Sequence, residues 1–477
     1  MELGANPLLW AACRAFLACL ILTPIVRDVF RIYGLVDHPD RARKVHAYPI
    51  PRVGGIPIMI AYAFALYQFA GEKTPLTEYA PMAWKLTPAV LMIFATGLID
   101  DFFGLEPWQK LAGQLAAAGL ACWAGVRVFG IAGYAATWWS IPLTVAWLIV
   151  CTNAFNLVDG LDGLAAGMGL VAALTISAAA LMAGNPPLAY ASVPLAGALL
   201  GFLCYNLTPA TIFLGDSGSL LIGFLLGCYG AVWSQKSATL IGITIPVLAL
   251  SIPLLDIILA IVRRFLRNQP IFSADRGHIH HRLLERGLTP RRAVLVLYLV
   301  CALAAGFALV VALPYGIHEG GGRRYYGFAI LALGAAAVLG IRQLRYAEFG
   351  LASRLLFGGE FQRTLGGQMQ LERLAEELGQ AQTEKDCWRL IASAAREFGF
   401  DRAQLSLRGQ CWEENFRDVG SQECWSLRVP LGGGPDALQL ERPFESDVLP
   451  MMVARFLDTV RRGVQAKLQE WDEQPVA

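Results

Sequence analysis

Residues 138–183 read WWSIPLTVAWLIVCTNAFNLVDGLDGLAAGMGLVAALTISAAALMA. Two apolar runs, 138–154 and 163–183, lie near the roughly 20 residues that a helix needs to cross a bilayer. Between them Asn153, Asn156, Asp159 and Asp162 place two amides and two acids within ten residues. An ordinary connection between two membrane helices has no need of four such groups, so the pattern reads as a functional loop at a membrane surface. Gly160, Gly163 and Gly167 let backbone approach a ligand or a neighbouring helix closely.

Working outward, the same reading repeats. About eleven candidate spans emerge: 7–27, 53–70, 86–100, 110–127, 138–154, 163–183, 188–205, 218–234, 239–262, 293–313 and 325–342. Composition agrees. Hydrophobic residues make up 56% of the 477 and charged residues 16%, against roughly 45–50% and 25% in soluble domains. The mean hydropathy is +0.49. These values exclude a disordered chain and a disulfide scaffold. The near balance of 39 basic and 37 acidic residues gives no support to a nucleic-acid partner. The ten cysteines contain no CxxC pair and read as reduced packing residues. The first span lacks a basic leader and a small-residue cleavage site, so a retained helix is expected rather than a signal peptide.

Lys and Arg are counted loop by loop. Odd-numbered loops carry fifteen and even-numbered loops six. The positive-inside rule then puts the odd loops and the C-terminus in the cytoplasm and the N-terminus outside. The acidic and histidine clusters all fall in odd loops: Asp100 and Asp101 after span 3, the 153–162 group after span 5, Asp216 at the start of span 8, and His278, His280 and His281 before span 10. Crowded carboxylates repel unless they share a cation. An all-oxygen donor set suits Mg²⁺, with Mn²⁺ as a substitute, and disfavours zinc. Lys44, Lys110, Arg276, Arg282 and the three histidines are suited to phosphate. An acidic metal site beside a basic phosphate site reads as phosphoryl transfer on an anionic substrate.

Plainer readings stand beside these. Asp100–Asp101 and Asp216 could cap helices, and Lys110 could snorkel from its span. Asp256, inside span 9, reads equally as a functional group or a helix-pairing acid. Residues 37–55, with Lys44, His46, Gly54 and Gly55, read equally as a basic anchor or a substrate contact. Two other classes compete: a transporter, which would spread charge through the bilayer depth, and a membrane-anchored sensor, which would leave the loop motifs without a purpose.

Five motifs in order, RKVHAYPIPRVGG, DDFFGLEPWQKLAGQ, NAFNLVDGLDGLAAG, FLGDSGS and GHIHHRLL, resemble the polyprenyl-phosphate N-acetylhexosamine-1-phosphate transferases of glycosyltransferase family 4, over about residues 1–345. The resemblance implies transfer of a sugar 1-phosphate, GlcNAc-1-phosphate first, from a UDP-N-acetylhexosamine to undecaprenyl phosphate. UMP is released, Mg²⁺ is the cofactor, and the setting is the inner membrane at the start of cell-envelope polysaccharide (O-antigen, teichoic acid or similar) synthesis. It implies Asn156 and Asp216 as the metal pair. Asp100 and Asp101 would deprotonate the lipid phosphate or support the metal. Asp159 and Asp162 would lie near the nucleotide, and all four are expected as catalytic groups. Lys110 would contact the pyrophosphate, and His278, His280 and His281 the phosphate and sugar. Lys44, His46, Asn153 and Arg282 complete the expected substrate-binding set. Some members carry a third acid three residues after the pair, where this chain has Gly104. A direct one-step displacement is preferred to an aspartyl-phosphate intermediate on Asp100 or Asp101.

The expected fold is thus an all-α polytopic membrane protein with about eleven transmembrane helices, residues 1–345. A helical linker over 346–380 and a small cytoplasmic α+β domain over 381–477 follow. In the tail, LERLAEELGQAQ, TEKDCWRLIASAAREFG and SDVLPMMVARFLDTVRRGVQAKLQ read as helices, the last opened by Ser446 or Asp447. AQLSLRG, CWSLRVPL and DALQLER alternate as strands. The order faintly resembles a GAF-type sensory module, with regulation or contact within a homodimer as its expected role.

Overall fold

The structure, a computed structural model, describes residues 7–36, 49–67, 80–128, 139–235, 241–266, 277–312, 334, 360–416, 424–431, 435–443 and 450–473. Two units divide the chain, Met1–Tyr346 and Ala347–Ala477.

Apolar length shapes the first unit. Its helices are α1 (Pro7–Ile32), α2 (Gly55–Tyr67), α3 (Ala80–Phe103), α4 (Pro107–Trp123), α5 (Ser140–Val158), α6 (Leu164–Met182), α7 (Pro186–Asn206), α8 (Gly215–Gln235), α9 (Ile241–Ala249), α10 (Ser251–Leu266), α11 (Ile279–Glu285) and α12 (Pro290–Ala312). Seven of them, α1, α3, α5, α6, α7, α8 and α12, are long and apolar enough to cross a membrane. The chain is a mostly helical multi-pass membrane protein. The expectation of about eleven spans meets three differences. Helices α2 and α4 have only 13 and 17 residues. The run 239–262 is split into α9 and α10, because Pro253 has no N–H to give the Ala249 carbonyl and the ladder breaks there. The segment 325–342 lies outside the described residues.

Helix α8 is the axis of this unit. It packs against α3 on one side and α5 on another, with its apolar side chains buried almost throughout. Small residues set the spacing. A Cβ on Gly223 would lie 2.6 Å from the Cys151 carbonyl of α5, and one on Gly97 of α3 would lie 2.5 Å from the Asp216 carbonyl. Trp147 of α5 donates its indole N–H to the Gly227 carbonyl at 2.9 Å. The extended residues 50–55 run beside 213–214. The Phe213 amide donates to Pro51, and the Gly54 and Gly55 amides donate to Phe213 and Leu214. The PRVGG glycines are therefore packing positions. Gly55 leaves no room for a Cβ against Gly218 and Ser217.

The second unit is a two-layer α+β structure. It comprises α13 (Glu360–Gln380), α14 (Glu384–Glu397), β1 (Arg402–Leu407), β2 (Gln410–Asn415), β3 (Cys424–Pro430), β4 (Ala437–Pro443) and α15 (Pro450–Glu473). The sheet is antiparallel in the order β2-β1-β4-β3. Thr383 opens α14 as a capping box with Asp386. Arg408 and Gly409, both at positive φ, close the two-residue β1–β2 turn. Alternation on β1 buries Ala403, Leu405 and Leu407 beneath Ile391, Phe456 and Val460. Leu371, Leu374 and Leu378 of α13 lie in the same core, so this helix is part of the folded unit and not only a connector. Strand β2 was not expected. The proposed caps Ser446 and Asp447 lie outside the described residues, and α15 is described from Pro450.

Candidate active site

Helical spacing builds the centre. On α4, Lys110 and Gln114 are four apart; on α5, Asn153 and Asn156 are three apart; on α8, Asp216 and Ser219 are three apart. Each pair therefore shares one helix face, and the three faces meet. The Lys110 ammonium donates to Asp100 Oδ2 at 2.8 Å, to Asn156 Oδ1 at 3.2 Å and, through a short contact, to Asp216 Oδ2. Asn156 Nδ2 donates to Asp216 Oδ1 at 2.8 Å and to Ser219 Oγ at 3.1 Å. One turn further along, Asn153 and Gln114 exchange amide hydrogen bonds of 2.7 and 3.2 Å. Asn153, expected among the substrate-binding groups, is thus engaged in pairing α4 with α5.

The two adjacent aspartates do different things. Asp100 keeps Oδ2 on Lys110 and accepts the Leu105 amide on Oδ1 at 2.6 Å. Asp101 reaches across to the start of α8 and accepts the Asp216 and Ser217 amides, one on each oxygen, at 2.7 and 2.9 Å. It caps the positive end of the helix that carries Asp216. The turn after the pair needs Gly104, whose φ is +68°. An acid placed there would be strained, which is a physical reason for glycine at this position.

Residues 277–285 meet the α5–α6 connection. A Cβ on Gly160 would lie 2.5 Å from His280 Nε2, so the ring sits on the Asp159–Gly160 turn. His278 and His280 stack with centroids 5.8 Å apart, and His281 lies 4.3 Å from His280. His278 Nδ1 is 2.9 Å from Asp256 Oδ2. Burial holds His280 neutral, pushed down to about 4. Burial, then the Asp216 carboxylate, pushes Asp159 up to about 8, and the Arg52 guanidinium offsets this in part. Asp162 turns away and accepts the Ala210 amide at 3.0 Å, anchoring the loop that leads into Asp216. Arg282 bridges to Glu285 at 3.0 Å. Lys44, His46 and Arg276 lie outside the described residues.

Asp100, Lys110, Asn156 and Asp216 therefore come together, with Asp101 behind them, Asp159 near them, His280 against the Gly160 turn and His278 and His281 in ring contact with His280. Ser219, Gln114 and Arg52 are not among the expected site residues. The first two could have been found from their helical spacing to Asp216 and Lys110.

A divalent ion fits this donor set. Three oxygens, on Asp100, Asn156 and Asp216, already converge on a cation, the Lys110 ammonium. Among the described residues no group of three or more His, Cys, Asp or Glu could hold a metal. Asn156 and Asp216 would hold the ion, with Asp100 beside them, and would leave the remaining positions to water and phosphate oxygens, as Mg²⁺ favours.

Comparison with known proteins points to the same region. A family model described as glycosyl transferase family 4 matches residues 83–234, which include Asp100, Lys110, Asn156 and Asp216. The chain is 38% identical over 293 residues to a probable undecaprenyl-phosphate N-acetylglucosaminyl 1-phosphate transferase of Bacillus subtilis, covering 60% of this chain and 80% of that protein. It is 39% identical over 314 residues to the decaprenyl-phosphate N-acetylglucosaminephosphotransferase of Mycobacterium tuberculosis, covering 59% and 76%. It is 28% identical over 317 residues to the undecaprenyl-phosphate alpha-N-acetylglucosaminyl 1-phosphate transferase of Escherichia coli K12, covering 64% and 84%. Likeness of this extent to the first two, together with the family match over 83–234, makes the chain a member of glycosyl transferase family 4.

Proposed function

We propose that this protein transfers N-acetylglucosamine 1-phosphate from a UDP-sugar to undecaprenyl phosphate at the cytoplasmic face of the inner membrane, as the first lipid-linked step of a cell-envelope polysaccharide. The observation that carries the reading is the Lys110 ammonium gathered by Asp100, Asn156 and Asp216. The activities for which the relatives are named support the sugar and the lipid class.

The difficulty of the reaction is bringing one phosphate anion against another. An oxygen of the lipid phosphate attacks the β-phosphorus of the donor, and the bond from that phosphorus to the bridging oxygen breaks. The electron pair departs with UMP. Lys110 draws the pyrophosphate in and offsets its charge. Asp216 and Asn156 would hold Mg²⁺, which when bound stabilises charge on the pyrophosphate and the leaving group. Asp100 is the member of the acidic pair that lies on Lys110 in the polar centre, and we assign it to take a proton from the acceptor phosphate, whereas Asp101 lies on the first amides of α8. Neutral His280 and its stacked neighbours offer hydrogen bonds to phosphate and sugar. The bilayer confines the acceptor and supplies proximity.

Incubation of purified protein with undecaprenyl phosphate, Mg²⁺ and a panel of UDP-sugars tests this. UMP release with UDP-GlcNAc is expected. Release with none of the panel would overturn the reading.

The C-terminal unit we read as a GAF-type regulatory module, supported by its antiparallel sheet covered by helices. Deleting residues 347–477 should leave transfer intact, and loss of transfer in a well-folded truncated protein would contradict a purely regulatory role.

A further inference from the structure

Asp256 is a carboxylate in an otherwise apolar stretch of α10, 252–262, ahead of Arg263 and Arg264. Its neighbours on α10 are Leu254, Leu255, Ile257 and Ile258, and the residue is 1% exposed. A buried carboxylate on such a helix is costly and needs partners. It has two. Oδ1 accepts the Ile279 amide at 2.9 Å, and Oδ2 lies 2.9 Å from His278 Nδ1. Both come from the first residues of the histidine motif, 22 and 23 positions away. The acid therefore joins α10 to the connection that carries His278, His280 and His281.

An ionised carboxylate only accepts hydrogen bonds. The nitrogen facing it must then carry a proton, and the ring's other nitrogen is set by that choice. His278 stacks on His280 with ring planes 3° apart, and His280 lies on the Gly160 turn. The orientation of the first ring is thus passed to the second by contact.

We infer that Asp256 is a positioning residue for His278: it holds the proton on Nδ1, leaves Nε2 as an acceptor for a hydroxyl or amide N–H of the donor sugar, and fixes the histidine stack against the Asp159–Gly160 turn. This deepens the transferase reading and rests on it for the identity of what Nε2 meets. The ring state itself can be read without any substrate.

Asp256→Asn separates positioning from a merely structural role. Its Oδ1 still accepts the Ile279 amide, so the anchor of α11 is kept. Its Nδ2 donates toward His278 and drives the proton from Nδ1 to Nε2. Three readouts follow on the full chain in detergent. First, ¹⁵N-histidine spectra of the wild type, assigned by the signal lost in His278→Ala, should show Nδ1 protonated, and Asp256→Asn should move the proton to Nε2. Second, Asp256→Asn should lower kcat for sugar-phosphate transfer by about tenfold or more, the scale seen when the outer-shell partner of a metal-ligating histidine is lost, with an unchanged Tm. Third, in a His278→Ala background the same substitution should cost less than about twofold, since coupled neighbours are non-additive. An unprotonated Nδ1 in the wild type overturns the inference, as does full activity of Asp256→Asn or an undiminished loss in the His278→Ala background. Should Asp256→Asn fail to fold, the wild-type spectrum decides. A wild type that transfers nothing refutes the transferase reading instead, and the spectrum still decides this one.

Discussion

Replacing Gly97 by alanine adds one methyl group between α3 and the start of α8. The position is helical, so no backbone strain accompanies the change. Its Cβ would lie 2.5 Å from the Asp216 carbonyl oxygen and 2.6 Å from the Ser217 Cα, where ordinary contact begins at 3.4 Å. The groups it meets are backbone and cannot swing aside, so α8 must retreat by about 0.9 Å from α3. Asp216 would move with its backbone, away from Lys110 and from the capping oxygens of Asp101. A misplacement of about 1 Å costs roughly 10²-fold in rate, or about 2.7 kcal/mol in barrier. The assay is UMP release by purified protein, with Tm measured beside it. Gly119→Ala is the control. That glycine is helical too but has nothing within 4 Å of the added methyl, and it should be neutral or slightly stabilising, by up to about 1 kcal/mol. If Gly97→Ala kept more than half the wild-type kcat, the close α3–α8 approach would not be what places Asp216.

Three further outcomes are expected. Asp101→Ala should lower both kcat and Tm, since the lost cap alone costs about 1–2 kcal/mol, whereas Asp100→Ala should lower kcat with Tm held; identical behaviour of the two would contradict the division of labour within the pair. Chelation should abolish transfer and added Mg²⁺ or Mn²⁺ restore it, while restoration by Zn²⁺ alone would contradict an all-oxygen site. His280 is held down to about 4 in the fold against a usual 6.5, so the unfolded chain takes up the proton first as pH falls, and His280's share of stability is lost between about 6.5 and 4, amounting to about 3 kcal/mol. Asp159, raised to about 8, acts in the opposite sense, so the share is read as the Tm difference between wild type and His280→Gln across that window; a difference that does not change with pH would refute the buried neutral ring.

Much of this architecture was legible because a bilayer permits few solutions. Runs such as 138–154 and 163–183 had to be helices, and the polar group between them had to sit at their ends. The acidic and histidine motifs could be collected on one face by counting spans. Neighbour relations between helices were less legible. That Lys110 and Gln114 would meet Asn156 and Asn153 depends on α4 lying against α5, which hydropathy does not encode. The divergence of Asp100 and Asp101 was within reach, since successive helical residues point about 100° apart at 3.6 residues per turn; which of them would cap α8 was not. Pro253 marks the break in the ninth run, which apolar length alone conceals. Strand β2, QCWEEN, escaped notice because its edge position leaves most of it exposed. Its acids thus remain in solvent and hide the alternation that marked β1.

The central claim is that Asp100, Lys110, Asn156 and Asp216 form a metal-assisted centre for sugar-phosphate transfer. The most direct measurement follows phosphorus itself. Purified protein is given UDP-GlcNAc labelled at the β-phosphate, undecaprenyl phosphate and Mg²⁺, beside Asp216→Asn of equal Tm. The label should pass into the lipid fraction as UMP appears in equal amount, and the variant should pass none. Label retained in the aqueous fraction by the wild type, or carried to lipid undiminished by Asp216→Asn, would contradict the account.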